Sequence, residues 1–150
     1  MVLDERYMRM ALEEAAKAAE RGEIPVGAVV VDQNGEILAS THNLCETEQM
    51  PTYHAELLAI QEACKKIGSW RLSDCTVYVT LEPCPMCMGA MIHARVKRVV
   101  FGAFDPRAGA CGSLLNLSDY PLEASPEIRG GVLAEESLEL LRSFFRQARK

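Results

Sequence analysis

Apolar residues recur at helical spacing between Asp4 and Arg21, where Tyr7, Met8, Ala11, Leu12, Ala15, Ala18 and Ala19 share one side. The pattern predicts a first helix, with Asp4 as its N-cap and Gly22 as its stop. Val26 to Val31 is a β-rich run, Asp32-Gln33-Asn34-Gly35 has turn chemistry, and Ile37-Leu38-Ala39 resumes the apolar pattern, so a hairpin is expected. The polar stretch from Thr41 to Pro51 reads as a loop. Thr52 is the predicted cap of a second helix that carries His54 in its first turn, runs through Leu57, Leu58, Ile60, Ala63 and Cys64, and ends at Gly68. A strand from Cys75 to Leu81 leads into a third helix, opened by Cys84 and Cys87 and running to about Ala94. Arg98 to Gly102 and Ile128 to Leu133 give two more strands. Ala134 to Lys150 closes the chain as a helix with Leu138, Leu140, Leu141, Phe144 and Phe145 on its buried side. After the hairpin, each strand is reached across a helix or a long loop, which predicts an α/β fold with a five-stranded mixed sheet covered by helices. At 150 residues and without repeat, linker or low-complexity segment, residues 1–150 read as a single domain.

The chemistry-bearing residues gather at two predicted helix starts. Cys84 and Cys87 stand three apart, so both sulfurs lie on one face of a first turn. The unpaired N–H groups and partial positive charge there favour thiolate over thiol. His54 and Glu56 are two apart, a spacing that diverges in mid-helix and converges only where a helix begins. One imidazole and two thiolates make a three-ligand zinc site with an open fourth position, and Glu56 is left free as a base. Hydrolytic deamination of an amidine-like ring carbon follows from that set: zinc activates a water, and Glu56 carries its proton to the substrate and then to the departing ammonia. Two blander readings stand beside it. The Cys-x-x-Cys pair alone suits a redox protein, and a fourth ligand from Cys45, Cys64, Cys75 or Cys111 would make a closed, non-catalytic zinc module.

Composition narrows the setting. There is no apolar run near the length of a membrane span and no basic-then-apolar start, so a cytoplasmic protein without membrane attachment is expected. Six cysteines without framework spacing read as free thiols in a reducing compartment. A net charge of -5 argues against nonspecific binding of nucleic acid over the whole surface. The last helix offers a local exception, since Arg142, Arg146 and Lys150 recur at four-residue spacing with Arg149 alongside. The same order, with Glu135, Glu136 and Glu139 at the helix start, also suits the helix dipole.

His-x-Glu followed later by Pro-Cys-x-x-Cys is the established mark of zinc nucleobase deaminases, and the match at His54-Ala55-Glu56 and Pro83-Cys84-Pro85-Met86-Cys87 is complete. With Pro25-Val26-Gly27-Ala28-Val29, His42-Asn43, Val99 to Pro106 and Phe144-Phe145-Arg146, the chain resembles the cytidine deaminase-like superfamily over nearly its whole length. Gly102-Ala103-Phe104-Asp105 and the basic last helix resemble its bacterial tRNA adenosine deaminase branch more narrowly. That resemblance implies a three-layer αβα fold, a homodimer, one zinc per chain with no organic cofactor, and conversion of the wobble adenosine in an arginine tRNA anticodon loop to inosine. It further implies that Asn43 hydrogen-bonds the flipped base, that Val26 packs on it, that Ala55 belongs to the substrate site, and that Asp105 contacts the nucleotide near the mouth.

Three features depart from the family pattern. Tyr53 stands where a small residue usually precedes the zinc histidine, and it can stack on an anticodon base or narrow the mouth to a free base. Ser118 to Pro126 lacks the Phe-Asn-His sequence expected before the last strand, and Met50 and Met88 replace a polar and a small residue. A deaminase of free guanine or cytosine on the same scaffold is therefore the alternative, and a silent partner subunit is a lesser one that the intact Glu56 opposes.

Overall fold

The computed structural model describes residues 2–148. Its strands β1 (Gly27–Val31), β2 (Ile37–His42), β3 (Thr76–Leu81), β4 (Arg98–Ala103) and β5 (Glu127–Arg129) form one sheet in the order β2-β1-β3-β4-β5. β1 runs antiparallel to β2 and β3, and the β3, β4 and β5 ladder is parallel, so the sheet is mixed as the pattern predicts. Helices α3 (Ala55–Ile67) and α4 (Pro85–His93) cover one face, and α1 (Val2–Glu20) and α5 (Ala134–Ala148) the other. The central strands alternate between two cores. Val30, Val77, Val79, Val99 and Phe101 join the α3/α4 side, while Val29, Val31, Tyr78 and Val100 join the α1 side. A strand buried on both faces must be apolar throughout, which is why β1 and β3 read as continuous hydrophobic runs. Gly27 lets α1 lie directly on β1, because a Cβ there would come within 2.0 Å of the Ala11 carbonyl oxygen.

Four expectations are corrected. Asp4 does not cap α1, which begins at Val2. Its carboxylate turns toward the sheet, is 2% exposed, and accepts bonds from Arg98 at 3.1 and 3.0 Å, Tyr78 at 2.8 Å and Arg129 at 2.5 Å. The 41–51 stretch contains a short helix, α2 (Cys45–Glu48). The buried Glu23 creates it by accepting the N–H groups of Glu46 and Thr47, a support invisible in the local sequence. β5 stops at Arg129 because Gly131 adopts a left-handed φ of 86°. In α5, Ser137 alone is buried; Leu138, Leu140, Leu141 and Phe144 are half-buried and Phe145 is exposed, so this side faces a groove rather than a core. Arg149 and Lys150 lie outside the described residues, and among those described no helix is long and apolar enough to cross a membrane.

Asp4 ties α1 to β3, β4 and β5 at once, so Asp4→Asn is expected to cost about 2–3 kcal/mol, a Tm drop on the order of 10 °C. Burial pushes the Asp4 carboxyl up, but the bonds from Arg98, Arg129 and Tyr78 outweigh it and hold the group well below the usual carboxylate range. A folded-state pKa below the unfolded one gives stability that is complete above the unfolded value, about 3.9, and is lost as pH falls through the folded one. Urea unfolding should therefore show a constant gap between parent and Asp4→Asn from neutral pH down to about 4, closing in stronger acid.

Candidate active site

α3 and α4 start side by side at the same edge of the fold, and each start presents ligand atoms. His54 is the N-cap of α3, with extended backbone at φ -70° and ψ 150°, so Thr52 is not the cap and His54 lies just before the first turn. Glu56 follows inside that turn, which makes the two side chains converge. Cys84 is the N-cap of α4, Pro85 fills the first helical position where no N–H is needed, and Cys87 comes one turn on, fully buried.

The three ligand groups meet. His54 Nδ1 lies 3.7 Å from Cys84 Sγ and 3.4 Å from Cys87 Sγ, and all three ligand atoms fall within 4.8 Å of one another. Tetrahedral zinc with ordinary bond lengths needs sulfur and nitrogen about 3.5 Å apart, so the spacing fits the ion, as does the borderline-soft donor set. Among the described residues no further cysteine joins this group, which leaves the fourth position open and opposes the closed module. The remaining thiols, Cys45, Cys64, Cys75 and Cys111, are free.

Electrostatics support a cation here. The Cys84 thiol is held down to about 4, chiefly by the Cys87 S–H and then by His54, while the bond to Cys84 and burial drive Cys87 far up. Two sulfurs and an imidazole held this close together form the donor set that a divalent ion takes over. Glu56 is 4% exposed, and its burial pushes the carboxyl up to about 7.

Asn43 reaches this centre by an indirect route. Its Oδ1 accepts the Ala55 N–H at 2.8 Å and its Nδ2 donates to the Ile24 carbonyl at 3.1 Å. The side chain thus caps α3 from another segment, where the His54 side chain makes no capping bond. Each amide atom keeps capacity for one further bond. Asn43 and His54 line a cavity of about 350 Å³ with Glu23, Ile24, Cys45 and Phe144. Asp105 lies on a second cavity of about 570 Å³, with Phe104, Arg107 and the Arg142, Phe145 and Arg146 side chains of α5. Val26, 5% exposed, belongs to the α3/α4 core, and Ala55 is fully buried. Tyr53 is half-buried beside His54, its carbonyl accepting the Leu44 N–H at 3.0 Å.

Sequence patterns did not single out Ile24, which lines both cavities, and gave Phe144 a place in the core rather than on the first cavity. They also missed Glu82, a 2% exposed carboxylate two residues before Cys84. A charged residue closing an apolar strand was the available signal for it.

A family model for the cytidine and deoxycytidylate deaminase zinc-binding region matches residues 1–103. A tRNA-specific adenosine deaminase of Bacillus subtilis (strain 168) is 55% identical over 151 aligned positions, spanning 100% of this chain and 93% of the relative. A solved structure from work on A-to-I editing by tRNA:A34 deaminases at the wobble position superposes with a TM-score of 0.88 at 39% identity, covering 91% of this chain and 99% of that one. The guanine deaminase from Nitrosomonas europaea is a more distant neighbour, at 25% identity and a TM-score of 0.81 over 93% of this chain and 83% of its own. With its two ligand-bearing helix starts inside the matched region and its likeness to a tRNA-specific adenosine deaminase running the full length, the chain belongs to the cytidine and deoxycytidylate deaminase zinc-binding family and groups there with the tRNA-specific adenosine deaminases.

Proposed function

We propose that this chain is a hydrolytic deaminase that converts the wobble adenosine of an arginine tRNA to inosine and releases ammonia. It works as one domain in the cytosol, as a homodimer with one zinc per chain. The observation that carries the reading is the convergence of His54, Cys84 and Cys87 beside the buried Glu56, at a cavity that Asn43 lines. His54 Nδ1 and the Cys84 and Cys87 thiolates would hold the zinc. Zinc held there would supply a water acidic enough to provide a nucleophile near neutral pH. As a water oxygen bonds to the ring carbon that bears the amine, Glu56 takes one proton from that water and delivers it to the neighbouring ring nitrogen. It then passes the second to the exocyclic amine, so the carbon–nitrogen bond breaks as the carbonyl forms. Asn43 offers the base its spare donor and acceptor, Ala55 and Val26 form the wall behind the base, and Asp105 meets the nucleotide at the mouth. Asn43→Ala is expected to cost about 1–2 kcal/mol in stability through the lost cap, and to lower kcat/KM roughly 10–100-fold.

RNA rather than a free base is supported by the second cavity, where Arg107, Arg142 and Arg146 surround the exposed rings of Phe104 and Phe145. Guanidinium groups beside open aromatic faces suit unpaired nucleotides. Tyr53 is then a stacking platform for an anticodon base. The homodimer is supported by α4, whose outer stripe of Met86, Gly89 and Ala90 is apolar and not fully covered. The free six cysteines suit a reducing compartment.

A free-base deaminase is favoured by Tyr53 beside the reacting centre and by the guanine deaminase neighbour. Ammonia release separates the two readings. The zinc-loaded chain should release ammonia from an arginine anticodon stem-loop, with binding that weakens steeply as salt rises, and none from free guanine, adenine or cytosine. Release from a free base with the stem-loop untouched would transfer the site to the other class.

A further inference from the structure

The loop that follows β4 has no core of its own, yet it carries Asp105 and Arg107 to the rim of the cavity beside α5. Glu82, at the end of β3, reaches into it. One carboxylate oxygen accepts the Asp105 N–H at 3.0 Å, and the other accepts the N–H groups of Cys111 at 3.0 Å and Ser113 at 3.1 Å, while the Ser113 hydroxyl bonds the first. Four donors from three loop residues thus end on one side chain that is 2% exposed.

The surroundings make this a built arrangement rather than a chance burial. Gly109 lies against the carboxylate so closely that a Cβ there would come within 2.3 Å of the Glu82 carboxyl carbon. The next residue, Ala110, donates its N–H to the Pro83 carbonyl at 2.8 Å, and Pro83 leads directly into Cys84. Cys111 then rests on Met88 of α4, sulfur to sulfur at 3.6 Å. The Asp105 carboxylate meanwhile accepts the N–H groups of Arg107 at 3.0 Å and Ala108 at 3.3 Å, which fixes the turn carrying the arginine. A carboxylate offers acceptor sites only, and here they are met by donors only.

We propose that Glu82 is a positioning residue that holds the 105–113 loop in register with the Cys84 turn, so that the substrate rim and the ligand centre form a single unit. Its effect on catalysis rests on the function proposed above; its effect on the loop does not. Glu82 lines neither of the two cavities. It acts through the backbone of Asp105, Cys111 and Ser113.

Glu82→Gln keeps the shape but turns one acceptor into a donor that faces donors. In the zinc-loaded variant, amide hydrogen exchange at Asp105, Cys111 and Ser113 should speed up more than tenfold, with the β3 and α4 amides unchanged. KM for the anticodon stem-loop should rise about tenfold and kcat change less than threefold, with zinc still bound. Unchanged exchange at the three amides overturns the proposal whatever the substrate is. Faster exchange with KM within twofold of the parent overturns the catalytic half, and absence of turnover in the parent itself would strike the proposed function alone. If Glu82→Gln does not fold, Ser113→Ala removes one of the four donors while sparing the carboxylate. It should speed exchange at Asp105 and Cys111 about threefold without lowering Tm, and exchange identical to the parent overturns the proposal.

Discussion

Glu56→Gln is expected to leave the fold and the zinc in place while kcat falls by about 10²–10⁴-fold, the usual contribution of a positioned acid–base group. The variant keeps the volume and the buried position of a side chain only 4% exposed. It loses the one property the reaction requires, an oxygen that accepts a proton from water and returns it to the substrate. Tm should not fall, because a neutral amide removes the cost of charging a carboxyl that burial already pushes up to about 7. Stem-loop turnover within tenfold of the parent, in a zinc-replete variant, would take the base role away from Glu56.

Cys87→Ala is expected to have the opposite signature: turnover and metal disappear together. Cys87 is fully buried at 3.4 Å from His54 Nδ1, one helical turn beyond Cys84, and no other described cysteine reaches the group to replace it. Zinc retained after dialysis should drop from one per chain to nearly none, and activity at least as far as in Glu56→Gln. A bound ion at a thousand times its Kd stabilises a fold by about 4 kcal/mol, so the parent's Tm should rise on zinc addition and the variant's should not. A zinc-dependent rise preserved in Cys87→Ala would show that the ion is held elsewhere.

The parts of this protein that the sequence disclosed are those set by local pattern. The runs in β1 and β3 had to be apolar because both faces are buried, and the Cys84/Cys87 pair after the β3 run placed the start of α4. The ligand spacing at His54, Glu56, Cys84 and Cys87 then followed from the geometry of helix starts. The errors fall where a distant side chain decides the backbone. Glu23 makes α2 out of an apparent loop, and Asn43 caps α3 in place of Thr52. Asp4 gave up the cap expected of it to join Arg98 of β4 and Arg129 of β5. Gly131 ended β5 early through a left-handed turn, which the Gly130-Gly131 pair signals between the apolar residues on either side. The half-exposed side of α5 was misjudged for a different reason: periodicity shows that a face is apolar, but not whether core or groove lies opposite.

Mass spectrometry of an arginine tRNA anticodon stem-loop, incubated with the zinc-loaded protein and cut by ribonuclease into fragments whose masses report each position, bears most directly on the central claim. The account predicts inosine at the wobble position alone, formed by the parent and not by Glu56→Gln. An unchanged wobble adenosine, from protein carrying one zinc per chain, would contradict it.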